Sequence, residues 1–233
     1  MSELVIEFKI ENITSSIVRQ TFSEAFEWGC TTERDGGNNL GVYAGISNEF
    51  GFVETETEKA VNEMEERMCG TLKFWCGDMA VLLTINPPGT HESYEGIMIM
   101  ANSIYFNSDT YSLDNSAEVQ SNIECILDLT ERLYQKINPD YAYGIDDYIN
   151  ISEKQLPCDE DILGGTLNAL AWLTILPESV VREIGRERIL TAPVADVRAF
   201  GDDLALVLTD QPVPYYHDAF QAVAAAVKEH LRR

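Results

Sequence analysis

The sequence predicts an α+β fold: a largely antiparallel sheet with helices packed mainly on one face, within one α+β domain over residues 1–233. Three observations carry this. Apolar residues alternate with polar ones over residues 4–11, the pattern of a strand with one face buried. Several segments instead repeat apolar residues at helical spacing. Strands and helices do not alternate strictly, and neighbouring strands read as hairpin-linked, which argues against a parallel, crossover-built sheet.

In chain order, Leu4, Ile6, Phe8 and Ile10 form the buried side of the first strand, against Val5, Glu7, Lys9 and Glu11. A helix follows, with Ile17, Val18, Phe22, Ala25 and Phe26 on one stripe and Gly29 at its C-terminal stop. Residues 35–39 (Asp-Gly-Gly-Asn-Asn) read as a loop and residues 40–47 as a strand. Residues 54–68 form a second helix that turns Ala60, Val61, Met64 and Met68 inward and is stopped by Gly70. Two long strands, 71–86 and 94–107, join through Pro87-Pro88-Gly89. The clearest helix starts at Asn115, an N-cap with Glu118 three residues on. Its stripe is Val119, Ile123, Ile126, Leu127, Leu133, Tyr134 and Ile137, and Pro139 ends it. Residues 140–165 turn irregular and acidic, a surface excursion and the place for any sub-division of the domain. A strand at 167–176, a short helix opened by Pro177-Glu178, a strand pair turning at Gly201-Asp202-Asp203 and a final amphipathic helix complete the chain. That last helix buries Phe220, Val223, Ala224, Val227 and Leu231.

Charge is the strongest global signal. Thirty-nine acidic residues face 16 basic ones, a formal net charge of −23. Such a chain repels phosphate backbones and anionic bilayers, so neither nucleic acid nor membrane is an expected partner. Two readings of the charge remain: a surface adapted to high salt, or complementarity to a basic protein that speeds encounter. Six of the 16 basic residues are lysine and the acids are spread along the whole chain, which fits salt adaptation.

The five cysteines, Cys30, Cys69, Cys76, Cys125 and Cys158, are odd in number and irregular in spacing. With no basic-then-apolar leader at the amino terminus, they read as free, mostly buried thiols of a cytoplasmic protein. The three histidines, His91, His217 and His230, fall in no metal-binding spacing. No nucleophile elbow, phosphate-binding loop or dinucleotide turn is present. The sequence therefore assigns no catalytic residue, no cofactor and no metal site.

The most unusual segment runs from Asp140 to Asp161. Tyr141, Tyr143, Asp146, Asp147 and Tyr148, then Asp159, Glu160 and Asp161, interleave aromatic area with carboxylates. That mixture suits recognition of a basic protein. The same carboxylates suit oxygen ligation of calcium or magnesium, or paired-carboxylate glycoside hydrolysis, and an ordinary solvated loop with its tyrosines packed inward is the plainest alternative.

The stretch Ala171-Trp172-Leu173-Thr174-Ile175-Leu176-Pro177-Glu178 leads through Gly185, Arg188 and Ala192-Pro193 to Val197, Gly201, Leu206, Leu208 and Gln211-Pro212. It resembles the carboxy-terminal region of immunity proteins for bacterial polymorphic toxins. That resemblance implies an α+β fold and a stoichiometric inhibitor of a toxin domain, and it carries over no catalytic residue. Charge adds that an acidic inhibitor suits a nuclease toxin, whose substrate cleft is basic. The expected function is thus a non-enzymatic protein-binding or inhibitory module. The competing expectations are a metal-assisted hydrolase built on carboxylates and a salt-adapted structural domain.

Overall fold

The computed structural model of the chain describes residues 3–34, 37–38, 42–43, 57–86, 96–106, 117–146 and 155–232. In order these form β1 (Glu3–Lys9), α1 (Ser15–Glu27), β2 (Glu33–Arg34), β3 (Gly37–Asn38), β4 (Val42–Tyr43), α2 (Thr57–Arg67), β5 (Gly70–Cys76), β6 (Met79–Asn86) and β7 (Gly96–Asn102). A 3-10 turn (Ser103–Tyr105), α3 (Ala117–Ile137), β8 (Tyr141–Asp146), α4 (Asp159–Ile162) and β9 (Leu173–Leu176) follow. The chain ends through α5 (Glu178–Ile184), α6 (Arg186–Leu190), β10 (Asp196–Phe200), β11 (Asp203–Val207) and α7 (Asp218–Arg232). The fold class is α+β, and the β4–β5, β5–β6, β6–β7, β8–β9, β9–β11 and β10–β11 pairs are all antiparallel.

Two compact units make up the chain. One comprises Met1–Ile6, Ser103–Ile123 and Asp140–Arg233; the other comprises Glu7–Asn102 and Glu124–Pro139.

In the first unit the strands run in the order β10-β11-β9-β8. All six residues of β8 and all four of β9 are buried. Successive strand residues point to opposite faces, so both faces of these strands are covered. Trp172 lies just before β9, 1% exposed, its indole N–H donating to the Thr209 carbonyl at 2.9 Å. Beneath it Gly144 leaves room: a methyl group there would stand 3.1 Å from Leu173 Cβ and 3.2 Å from Ile6 Cγ1. The turn expected at residues 201–203 joins β10 to β11, and Asp203 also accepts from the Glu178 N–H at 2.6 Å. Pro177, the residue before α5, offers no side chain to cap that helix, so Asp203 does it from a distant part of the chain. In α7, Phe220, Ala224, Val227 and Leu231 are buried as expected, whereas Val223 is half-buried.

The second unit orders its strands β7-β6-β5-β4. Helix α1 starts at Thr14, whose hydroxyl accepts from the Ile17 N–H at 3.3 Å, and buries Val18, Phe22 and Ala25. Phe22 and Phe26 pack on Phe74 of β5, with ring centroids 6.2 and 5.6 Å away. At the end of α3, Asn138 takes a left-handed conformation (φ 49°) before Pro139.

Several sequence expectations are corrected. The first strand is not half-buried: Leu4, Val5, Ile6, Glu7 and Phe8 are all buried. The run 71–86 is two strands, turned by Gly77-Asp78 with Cys76 opposite Met79. Met68 does not face inward. It is 40% exposed with φ 55°, and it ends α2 in the place given to Gly70, which instead opens β5. Gly37–Asn38 pairs with Glu33–Arg34 rather than looping freely. Residues 140–165 are no simple surface excursion, because β8 runs through them. The expected strand at 167–176 narrows to Leu173–Leu176. Asn115, Pro87-Pro88-Gly89 and His91 lie outside the described residues, as do parts of the expected elements at 35–39, 40–47, 54–68 and 94–107.

Candidate functional site

The acidic, tyrosine-rich surface expected at 141–161 is largely taken apart by the fold. Tyr141 and Tyr143 are each 1% exposed and Asp146 is fully buried, so these three cannot form an exposed recognition face. The two tyrosines are two residues apart on one strand and stack on one side of β8, ring centroids 6.3 Å apart. Tyr141 reaches out of the core only with its hydroxyl, which donates to Asp159 Oδ1 at 2.8 Å. The Asp146 carboxylate accepts from the Ser103 hydroxyl inside the first unit. Asp161 is also buried, and it organises the turn after α4: Oδ1 accepts from the Asn168 N–H at 3.0 Å and the Thr166 hydroxyl at 3.1 Å, and Oδ2 from the Cys158 thiol at 3.3 Å. Only Asp159 and Glu160 are exposed, and Asp147 and Tyr148 lie outside the described residues.

A combination of the same kind, acid beside aromatic, is assembled elsewhere, in the second unit. An open cleft of about 500 Å³ is lined by Glu24 and Trp28 at the end of α1 and by Asp128, Glu131, Arg132, Gln135 and Lys136 of α3. Its formation follows from helical periodicity. The apolar stripe of α3 faces inward, so positions 124, 128 and 131, spaced four and three apart, fall on the opposite side. Glu124 and Asp128 are exposed and Glu131 is half-exposed, which gives α3 an acidic outer stripe running into the cleft. Trp28 follows the last residue of α1, half-buried, and offers aromatic area beside those carboxylates.

The floor of the cleft is internally compensated. Glu24 is mostly buried and receives Arg132 Nη1 at 3.3 Å and Lys136 Nζ at 3.7 Å from one turn of α3. Both cations remain about half exposed, so solvent screens these pairs and they fix the approach of α1 to α3 more than they stabilise it. The cleft is also lined by the Asp128–Glu131 edge, where Glu131 Oε1 accepts from Gln135 Nε2 at 3.0 Å, and by the Trp28 ring. No local motif marks this arrangement in the sequence; its sole trace is the acidic spacing on the back of an amphipathic helix.

Of the histidines, His217 and His230 are half-buried and make local contacts, His217 Nδ1 accepting from the Ala219 N–H at 3.2 Å. Among the described residues no group of three or more His, Cys, Asp or Glu side chains is placed to hold a metal ion, and no helix is long and apolar enough to cross a membrane.

No protein-family model matches the chain. No curated protein sequence matches it either. Among solved structures, the Pseudomonas aeruginosa T6SS protein PA0821 is similar, with a TM-score of 0.46 and 10% sequence identity over 97% of this chain and 72% of that one.

Proposed function

We propose that the chain is a non-enzymatic, cytoplasmic protein-binding module of inhibitory, immunity-like type. It docks a basic protein partner on the acidic outer stripe of α3 and the Trp28 cleft. The observation that carries this reading is the series of exposed Glu124 and Asp128 and half-exposed Glu131, ending beside a half-buried tryptophan. A carboxylate row attracts lysine and arginine side chains, and an adjacent aromatic face holds a cation or an aliphatic stem once it arrives. The net charge of −23 extends the attraction beyond the contact, steering a basic partner toward the chain.

The test is capture of the partner from the source cells by the full chain and by the doubly reversed Asp128→Lys/Glu131→Lys chain, each at ~0.1 M and ~1 M salt. The expected result is one stoichiometric partner held by the native chain at low salt and released at high salt. Association by the reversed chain slows by about an order of magnitude. Circular dichroism matching that of the native chain shows the variant is folded. Equal capture by both chains places the surface elsewhere. An empty column from folded native chain overturns the binding reading.

A further inference from the structure

Three of the five cysteines, distant in sequence, converge inside the second unit. Cys30 follows α1, Cys76 closes β5, and Cys125 sits in the first half of α3. Cys30 Sγ and Cys76 Sγ are 2.8 Å apart, and the Cys76 thiol also hydrogen-bonds Cys125. Cys30 and Cys76 are 5% exposed, whereas Cys125 is half-exposed. Cys69 and Cys158 make no part of this cluster; Cys158 belongs to the first unit, beside Asp161.

The backbone explains why the first two sulfurs meet. Thr31 and Trp75 exchange both backbone hydrogen bonds, Thr31 N to Trp75 O at 3.1 Å and Trp75 N to Thr31 O at 2.7 Å. In an antiparallel ladder the pair next to such a hydrogen-bonded pair is a non-hydrogen-bonded one, with Cα atoms about 4.5 Å apart. Stepping one residue along each strand reaches Cys30 and Cys76. In keeping with this, the Cys30 N–H donates to Ala25 O and not across the ladder. A separation of about 4.5 Å falls within the ~4.4–6.8 Å that a disulfide spans without backbone movement.

We propose that Cys30, Cys76 and Cys125 form an oxidation site for hydroperoxides, with Cys125 as the thiol that meets the oxidant and a Cys30–Cys76 disulfide as the product. The Cys125 thiolate attacks a peroxide oxygen; the O–O bond breaks, an S–O bond forms, and hydroxide leaves to become water. The Cys76 thiol then displaces the hydroxyl of the Cys125 sulfenic acid, releasing a second water and forming a Cys76–Cys125 disulfide. Attack of Cys30 on Cys76 Sγ transfers the bond and returns Cys125 as a thiolate. The balance is two thiols and one hydrogen peroxide to one disulfide and two waters. Burial assigns the roles: Cys125 is half-exposed and meets the oxidant, whereas Cys30 and Cys76 lie buried behind it, and the hydrogen bond from Cys76 lowers the Cys125 pKa.

The test treats the full native chain with hydrogen peroxide in the presence of a chelator, blocks remaining thiols, and maps peptides without reduction. The expected result is a chain that loses two hydrogens and yields a Cys30–Cys76 cross-link within one molecule. Cys125→Ser slows formation of that link at least tenfold, and Cys158→Ser leaves the rate unchanged. Alkylatable Cys30 and Cys76 after peroxide, once the chain is denatured, overturn the proposal; so do cross-links confined to Cys69 or Cys158 between copies. An unchanged rate in Cys125→Ser overturns the part assigned to Cys125. Mapping the native chain needs no core substitution, so the site is decided even if a variant fails to fold.

Discussion

Adding one methyl group at Gly144 sets two effects of opposite sign against each other. Gly144 lies within β8, and its φ is outside the positive region, so alanine meets no backbone penalty there. Removing a glycine from a strand lowers the entropy of the unfolded chain and favours folding by about 0.5–1 kcal/mol. Against this stands space. The new Cβ would sit 3.1 Å from Leu173 Cβ, 3.2 Å from Ile6 Cγ1 and 3.6 Å from Trp172 Cε3. Carbon atoms rest at about 3.5–4.0 Å, and overpacking a buried site costs about 1–3 kcal/mol. Leu173 Cβ is fixed to a paired strand and cannot swing away, so crowding outweighs the entropic gain. Gly144→Ala is expected to destabilise the first unit by about 1–2 kcal/mol, which moves a urea midpoint down by roughly 0.5–1 M. Trp28 and Trp75 belong to the second unit and Trp172 to the first, so replacing the former two by phenylalanine makes fluorescence a reporter of the first unit. An unchanged or raised midpoint in that background would refute the packing argument.

Trp172→Phe keeps an aromatic ring but leaves the Thr209 carbonyl without its indole donor, an expected loss of about 2 kcal/mol that a thermal melt reads as roughly 4–8 °C. Asp203→Ala removes the remote cap of α5 and is expected to cost about 1 kcal/mol in a denaturant titration, with Asp203→Asn recovering most of it. Met68→Asn runs the other way: an exposed, left-handed position that methionine occupies at a penalty becomes one that asparagine tolerates. Stability of the second unit should rise by about 1 kcal/mol, read as a higher urea midpoint.

Elements whose apolar period matches one burial rule were legible in the sequence. Val119, Ile123, Ile126, Leu127, Leu133, Tyr134 and Ile137 of α3 are all buried, as a 3.6-residue stripe requires. The β10–β11 hairpin was legible from Gly201-Asp202 between two apolar runs. Strand β8 was not, because Tyr-Ala-Tyr-Gly-Ile-Asp carries no alternation when both faces are covered. Its tyrosine hydroxyl and carboxylate look solvent-bound until Asp159 and Ser103 supply their partners. The β5–β6 turn was hidden by the apolar runs around it, although Gly77 at φ 59° marks a tight reversal. The candidate cleft had still less signature, since Trp28 and the α3 stripe meet only through the packing of α1 on α3.

The placement of the acids shows why a net charge of −23 does not by itself locate an interface. Glu7, Glu24, Asp146 and Asp161 are buried, and each is held beside a donor: Lys9, Arg132 with Lys136, Ser103, and the Thr166–Asn168 turn respectively. A buried carboxylate without such a donor would cost several kcal/mol, so these four are tied to folding whatever the chain binds. Burial places no such demand on Glu124 and Asp128, which water reaches on the outer side of α3. The two classes separate by experiment. Neutralising Asp161 should lower stability and leave binding by folded chain intact, whereas reversing Asp128 should leave stability nearly unchanged and weaken binding. Asp146 and Asp128 are the same residue type in the same acidic chain; a strand covered on both faces commits one to the core, and a helix covered on one face keeps the other at the surface.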